Sequence, residues 1–175
     1  MKLEQCYIDN IVRVALSRLG QEEKKGNSGF KNAWYEKKMR ERGWEPPFAW
    51  CMFAAEEVYK EALPQNIWDI MKLDEIFSGS ATETLNNARK AGHTIDLNPA
   101  LGSLAIWQKY INGKADWTGH GGIPLRLGIS GSFSSFEGNT NDKGGREGYI
   151  TAIRPHNTKE HARVNGLKLI GFIHF

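Results

Sequence analysis

One cysteine of this chain stands where a helix is expected to begin. Cys51 follows the turn-forming pair Pro46-Pro47 and precedes an amphipathic run, CMFAAEEVYKEAL. The unpaired N–H groups and the dipole of a helix N-terminus favour a thiolate, which is the nucleophilic form of cysteine. The position therefore predicts a nucleophile. The alternative for a lone cysteine in this context is a small, buried apolar residue.

A candidate general base lies in the run GHGGIPLRLG. If residues 120–127 are extended, His120 lies on the outward face at the start of a strand, and Ile123, Leu125 and Leu127 face a core. The neighbouring glycines would leave the imidazole accessible. The alternative is a surface histidine without a role.

An acceptor for the second imidazole N–H is found in the run SFSSFEGNTN. Glu137 and Asn139 are two positions apart and share one face of a strand, so either could orient His120. The spacing between His120 and Glu137 suits two adjacent strands of a hairpin, which would bring the side chains into reach. The sequence thus predicts a catalytic centre of Cys51, His120 and one of these two acceptors. Ordinary turn chemistry at Gly138-Asn139 is the alternative.

The elements that must position these residues change character along the chain. Pattern and composition predict helices at 3–19, 31–42, from about 51, at 66–72 and at 80–92. Short β-rich runs predict strands within 103–110, 121–128, 132–139, 147–155 and 167–175. This order predicts a single α+β domain over residues 1–175. Its helical part at about 1–95 would pack on an antiparallel sheet of about five strands at about 100–175.

Five short motifs, in order, resemble those of the CHAP amidases (cysteine, histidine-dependent amidohydrolase/peptidase), relatives of the NlpC-type and papain-like enzymes. They are LGQEEKKGN, AWCMFAAEEV, NPALGSLAIW, GHGGI and FEGNTN, and the terminal IGFIHF is similar to the closing strand of that family. The resemblance implies a papain-like fold. It also implies that Cys51 is the nucleophile, that His120 is the base, and that Glu137 or Asn139 orients the imidazole.

The resemblance further implies hydrolysis of amide or peptide bonds in bacterial peptidoglycan, by an N-acetylmuramoyl-L-alanine amidase or an endopeptidase. The start MKLEQCYIDN has no apolar core of signal-peptide length. We therefore expect synthesis in the cytoplasm and action on the cell wall after release, as a phage lysis enzyme, or after injection, as an effector toxin with a cognate immunity protein. The alternatives are a non-catalytic cell-wall-binding or virion component of the same fold and a cysteine protease that acts on proteins.

Four aromatic residues near the predicted site are candidates for binding sugars and peptide stems. They are Trp34, Tyr35, Trp50 and Trp117. Aromatic faces suit such ligands, and packing in the core or at its rim is the alternative for each.

Composition argues against several other classes of protein. The only two cysteines, Cys6 and Cys51, form no C-x-x-C pair, and no ladder of carboxylates precedes Cys51, so we expect no disulfide framework, no metal and no cofactor. The sequence contains no run of about 18 apolar residues, so we expect no insertion into a membrane. The net charge of +3 is too weak to predict nucleic-acid binding. This charge suits an anionic target such as the cell wall, and the alternative is a basic surface without a functional role.

Overall fold

A computed structural model describes residues 3–141 and 148–175 of the chain. Its helices are α1 (Gln5–Ser17), α2 (Ala33–Glu41), α3 (Cys51–Ala62), α4 (Gln65–Ile70), α5 (Leu73–Ile76) and α6 (Ala81–Lys90). Its strands are β1 (Thr94–Asp96), β2 (Leu104–Ile111), β3 (Lys114–Leu127), β4 (Ser132–Thr140), β5 (Ile150–Asn157) and β6 (Gly166–His174). Short 3₁₀ turns follow β3 and β5, at Ile129–Gly131 and Thr158–Ala162.

The strands form one antiparallel sheet in the order β1-β6-β2-β3-β4-β5. Strands β2 to β5 follow one another as consecutive hairpins, so the connections are local. The chain then returns through β6, which inserts between β1 and β2. β3 and β4 are neighbours, and β5 covers the outer side of β4 at the edge of the sheet.

Helix α3 packs on the sheet at the two strands that carry His120 and Glu137, as α6 does elsewhere on the sheet. It packs against α1 and also contacts β3 and β4. Its side chains Met52, Val58 and Tyr59 are fully buried, and burying each of them contributes about 1.5–3 kcal/mol. The helix that begins at Cys51 is therefore fixed on the two strands that carry His120 and Glu137.

An aromatic cluster holds the segment that precedes α3. The ring of Phe30 lies 5.0 Å from that of Tyr35, 4.8 Å from that of Trp44 and 4.9 Å from that of Trp50. All four side chains are fully buried. Helix α2 contributes Tyr35 to this cluster. The Asn32 side chain caps α2 by accepting hydrogen bonds from the first backbone N–H groups of the helix.

The opposite face of the sheet carries a second, smaller apolar cluster. Trp107, Phe133 and Phe172 pack there, apart from the main core. The 3₁₀ turn 158–162 contacts β6 and brings Glu160 to Trp107, whose Nε1 donates a hydrogen bond of 2.7 Å to Oε2 of the carboxylate. Polar groups on this face of the sheet are thus enclosed as well.

The structure confirms an α+β domain with N-terminal helices and an antiparallel sheet, but the sheet has six strands rather than about five. The additional strand is β1, three residues long, whose Ile95 pairs with Ile173 of β6.

The prediction that Leu127 faces the core is wrong. A bulge between Pro124 and Arg126 shifts the register, and Leu127 is 44% exposed. None of the helices described is both long enough and apolar enough to cross a membrane.

Candidate active site

Cys51 is the first residue of α3. The residue before it, Trp50, has non-helical backbone angles and accepts the first helical hydrogen bond, from Ala54, at 2.9 Å. The side chain of Cys51 is nearly buried, with 5% of the residue exposed. The structure therefore places the thiol at a helix N-terminus, as predicted, among the buried residues of the main core.

The surroundings of the thiol favour its ionised form. Burial alone would disfavour the thiolate, but His120 opposes this effect through its charge and a hydrogen bond, and the backbone N–H groups of Gly121 and Met52 also donate to the sulfur. Together these interactions lower the pKa of Cys51. A thiol with three donors around it is suited to nucleophilic attack.

His120 connects the thiol to a carboxylate. Its Nε2 lies 2.7 Å from Oε2 of Glu137, so Nδ1 is the ring atom left for the hydrogen bond with Cys51. Burial would lower the pKa of His120, but the charges of Glu137 and of the Cys51 thiolate raise it to about 10. These shifts favour the pair of thiolate and imidazolium over the neutral pair.

The position of His120 differs in one respect from the sequence-based expectation. The residue lies in the middle of β3, which begins at Lys114, rather than at the start of a strand. The exposed fraction of its side chain is only 14%. The ring is thus held in a polar, largely enclosed site instead of standing free on an outward face.

Glu137 on β4 is the group that orients His120. The residue is 3% exposed, and its carboxylate also binds Ser135 Oγ at 2.6 Å and His156 Nε2 at 2.6 Å, both through Oε1. Burial alone would raise the pKa of Glu137. The charge and hydrogen bond of His120, together with those of His156, hold it far below its usual range. The carboxylate is therefore an anion with every described contact directed at a donor.

Asn139, the other predicted acceptor, does not bind His120. The register of β4 shifts between Glu137 and Thr140, and Asn139 takes a left-handed backbone conformation with φ of 52°. Its side-chain Oδ1 is buried without a hydrogen-bond partner among the described residues. The shift breaks the two-residue alternation on which the prediction for Asn139 depended.

Two glycines allow the close approaches that build the site. A Cβ atom at Gly122 would lie 2.8 Å from Cγ of Glu137 and 3.0 Å from the carbonyl oxygen of Phe136. A Cβ atom at Gly138 would lie 2.6 Å from Cβ of Ala54 and 2.8 Å from the ring of Trp50. The first glycine makes room for the carboxylate beside β3. The second lets α3 lie directly on β4.

The four predicted aromatic ligand-binding residues divide into two pairs. Trp50 and Tyr35 are fully buried, so the prediction that they bind sugars or peptide stems is wrong. Trp50 instead donates from Nε1 to Glu23 Oε2 at 3.0 Å and anchors the start of α3. Trp34 and Trp117 are 46% and 77% exposed, and Trp34 stacks with the guanidinium of Arg18, at 4.6 Å from the ring centroid.

Sequence reasoning missed several polar residues of the site. Ser135 and His156 share the carboxylate of Glu137, and Glu160 in turn binds Nδ1 of His156, at 3.1 Å. Glu23, within the run LGQEEKKGN, also supports the site, since it accepts the hydrogen bond of Trp50. The one available signal was the alternation along β4, which places Ser135 on the same face as Glu137.

The arrangement can perform acyl transfer. It contains a nucleophile with a lowered pKa, an imidazole that can accept and return a proton, and a carboxylate that fixes the tautomer of that imidazole. Within residues 3–141 and 148–175, no group of three or more His, Cys, Asp or Glu side chains is arranged to hold a metal ion.

Comparison with known proteins adds little to this description. No family model matches the sequence, and no curated protein matches it. One solved structure, "The crystal structure of Ly7917", aligns over 95% of this chain and 62% of its own, with 14% identity and a TM-score of 0.44. The chain thus spans less than two thirds of the length of that protein. A likeness at this level carries no argument about family or activity.

Proposed function

We propose that this chain is a cysteine hydrolase with a papain-like fold, similar to the CHAP amidases, and that it cleaves amide or peptide bonds of bacterial peptidoglycan. The observation that carries the proposal is the contact series from the Cys51 thiol through His120 to Glu137. Three residues singled out by type and order in the sequence are in contact although they belong to three different elements. The choice of peptidoglycan as substrate depends on the resemblance of the motifs.

The reaction follows from the protonation states of the site. The Cys51 thiolate attacks the carbonyl carbon, and the oxyanion formed is stabilised by N–H groups at the start of α3, which contribute about 3 kcal/mol per donor in related sites. The imidazolium of His120 gives its proton to the leaving amine, and a thioester remains. His120, now neutral, takes a proton from water, which attacks the thioester. Release of the acid regenerates the thiolate.

Glu137 contributes by holding His120 in one orientation throughout this cycle. Its negative charge stabilises the imidazolium before each proton transfer to the amine. It does not itself become protonated, since its pKa lies far below the range in which the enzyme would act. Trp34 and Trp117 remain candidates to bind the glycan or the peptide stem, because their rings are exposed.

The decisive experiment compares wild type with C51A on purified sacculi. We expect wild type to release soluble fragments and C51A to release none. The matched control is C6A, because Cys6 is the other cysteine and is exposed; this variant should keep full activity. Mass analysis of the fragments identifies the new termini, which distinguishes the sugar–peptide amide from a bond within the peptide.

Three results would contradict the proposal. Activity retained by C51A would exclude Cys51 as the nucleophile. Cleavage of an unfolded protein, without release from sacculi, would indicate a protease that acts on proteins. Binding to sacculi by a chain whose Cys51 does not react with iodoacetamide at neutral pH would indicate a non-catalytic wall-binding protein.

A further inference from the structure

A second histidine lies behind the candidate catalytic centre, between two carboxylates. His156 on β5 has Nε2 at 2.6 Å from Oε1 of Glu137, and Nδ1 at 3.1 Å from Oε2 of Glu160. Neither sequence motif nor resemblance singles out His156 or Glu160. The contact with Glu137 joins the neighbouring strands β4 and β5, and the contact with Glu160 joins β5 to the 3₁₀ turn that follows it.

The contacts of His156 determine its protonation state. An ionised carboxylate only accepts hydrogen bonds, so a ring that faces one carboxylate at each nitrogen must carry a proton on both. His156 is therefore an imidazolium. Burial works against this charge, but the hydrogen bonds and charges of Glu137 and Glu160 outweigh it and raise the pKa of His156 to about 9.

The ring of His156 is fixed by packing as well as by hydrogen bonds. It lies 4.6 Å from the ring of Trp107 and 5.5 Å from that of Phe133, centroid to centroid. Glu160 is held in turn by Trp107 Nε1 at 2.7 Å and by Arg163 Nη2 at 3.0 Å. A rigid, satisfied support of this kind is what a precisely placed carboxylate requires.

Charges alternate in sign along the whole series of contacts. The Cys51 thiolate is followed by the His120 imidazolium, the Glu137 carboxylate, the His156 imidazolium and the Glu160 carboxylate. Arg163 closes the series with a positive charge at its more exposed end. Each charge has only neighbours of opposite sign in this series, which lets so many ionised groups occupy a largely buried region.

We propose that His156 is a positioning residue of the catalytic centre, which fixes the carboxylate of Glu137 from the side opposite His120 and balances its charge. The two oxygens of Glu137 are divided between the two histidines, Oε2 to His120 and Oε1 to His156. Without His156, only the hydroxyl of Ser135 holds Oε1, and the carboxylate can rotate. The proposal deepens the proposed function and rests on it for the reaction that is catalysed.

The charged groups facing His156 allow a test based on the direction in which their substitution shifts the pKa of Cys51. Glu137 on β4 and Glu160 on the turn contact it directly, and Arg163 acts through Glu160. H156Q keeps a donor for Glu137 but removes a positive charge, so it should raise the pKa of the Cys51 thiol. E160Q keeps an acceptor for Trp107 but removes a negative charge, so it should lower that pKa, while the charge of the Glu137 carboxylate keeps His156 protonated.

The experiment measures the pH dependence of Cys51 alkylation by iodoacetamide, followed at Cys51 by peptide mass analysis. We expect the rise in rate to move up by about half a pH unit in H156Q and down in E160Q, a fraction of the one to three units caused by a directly adjacent charge. On sacculi, kcat of H156Q should fall about tenfold or more with KM nearly unchanged. H174Q is the matched control: His174 also binds a carboxylate, Asp96 at 2.9 Å, and its loss should leave the profile unchanged.

Shifts of the same sign in H156Q and E160Q would indicate general loosening of the site and would overturn the proposal, as would an unchanged profile in H156Q. If H156Q does not fold, the downward shift in E160Q decides. Alkylation needs no substrate, so the two proposals fail separately. A wild-type Cys51 with the reactivity of an ordinary thiol contradicts the catalytic function, whereas a reactive Cys51 that is insensitive to His156 contradicts only the positioning role.

Discussion

Replacing Glu137 by Gln tests the electrostatic basis of the site most directly. The pKa of His120 is raised from 6.5 to about 10, which corresponds to about 5 kcal/mol in favour of the imidazolium. The carboxylate of Glu137 and the thiolate of Cys51 supply this preference together. In E137Q the carboxylate contribution is lost, burial of His120 acts with less opposition, and the imidazolium gives up its proton near neutral pH.

Loss of the positive charge on His120 should in turn raise the pKa of Cys51. Without a cation beside it, Cys51 should ionise only at or above the usual pKa of a cysteine, about 8.5, because burial alone disfavours the thiolate. We expect alkylation of Cys51 by iodoacetamide at pH 6 to be at least about tenfold slower in E137Q than in wild type. On sacculi, kcat should fall on the order of 10³- to 10⁴-fold, the loss seen when the carboxylate of a comparable triad is neutralised.

D96N is the control for E137Q, because Asp96 forms a similar contact with a histidine, His174. Its alkylation profile and activity should match those of wild type. If E137Q alkylates at pH 6 at the wild-type rate and keeps activity within tenfold, the carboxylate does not sustain the ion pair, and our account of the site is incorrect.

Three further predictions concern packing and stability. G122A should lower the free energy of unfolding by about 1–3 kcal/mol and slow Cys51 alkylation, because its Cβ would lie 2.8 Å from Glu137; urea unfolding and the alkylation rate measure the two effects. E57Q leaves the buried guanidinium of Arg18 without its anion and should cost about 3–5 kcal/mol in urea unfolding. Because the pKa of His120 is raised, its contribution to stability is complete below about pH 6.5 and is lost as the pH rises through about 10, which urea unfolding at a series of pH values would show.

The parts of the site that the sequence predicted depend on local regularities. A Pro-Pro turn before an amphipathic run places Cys51 at a helix start, and the spacing of His120 and Glu137 fits a hairpin of β3 and β4. Both inferences use only the geometry of one element or of two consecutive ones. The choice between Glu137 and Asn139 was not open to such reasoning, because it depends on an irregularity in β4.

The parts that the sequence did not predict depend on contacts that no motif or local pattern marks. The contact of His156 with Glu137 requires the pairing of β4 with β5, and Glu160 contacts Trp107 because the turn after β5 folds over the second apolar cluster. Strand β1 is three residues long and forms only by pairing with β6 at the end of the chain. The burial of Tyr35 was likewise not predictable from the sequence of α2, which is rich in charged residues. Its apolar side enters an aromatic cluster formed by other segments.

The small exposed area of Cys51 also determines which of the two thiols oxidises to an intermolecular disulfide in air. Only 5% of Cys51 is exposed, so a second folded protein reaches its sulfur far less readily than that of an exposed cysteine. Cys6 is exposed on the first helix, with its Sγ 3.8 Å from Glu4 Oε2. Storage without reductant should therefore join two copies through Cys6 while the nucleophile stays free, and the covalent dimer should keep its chemistry.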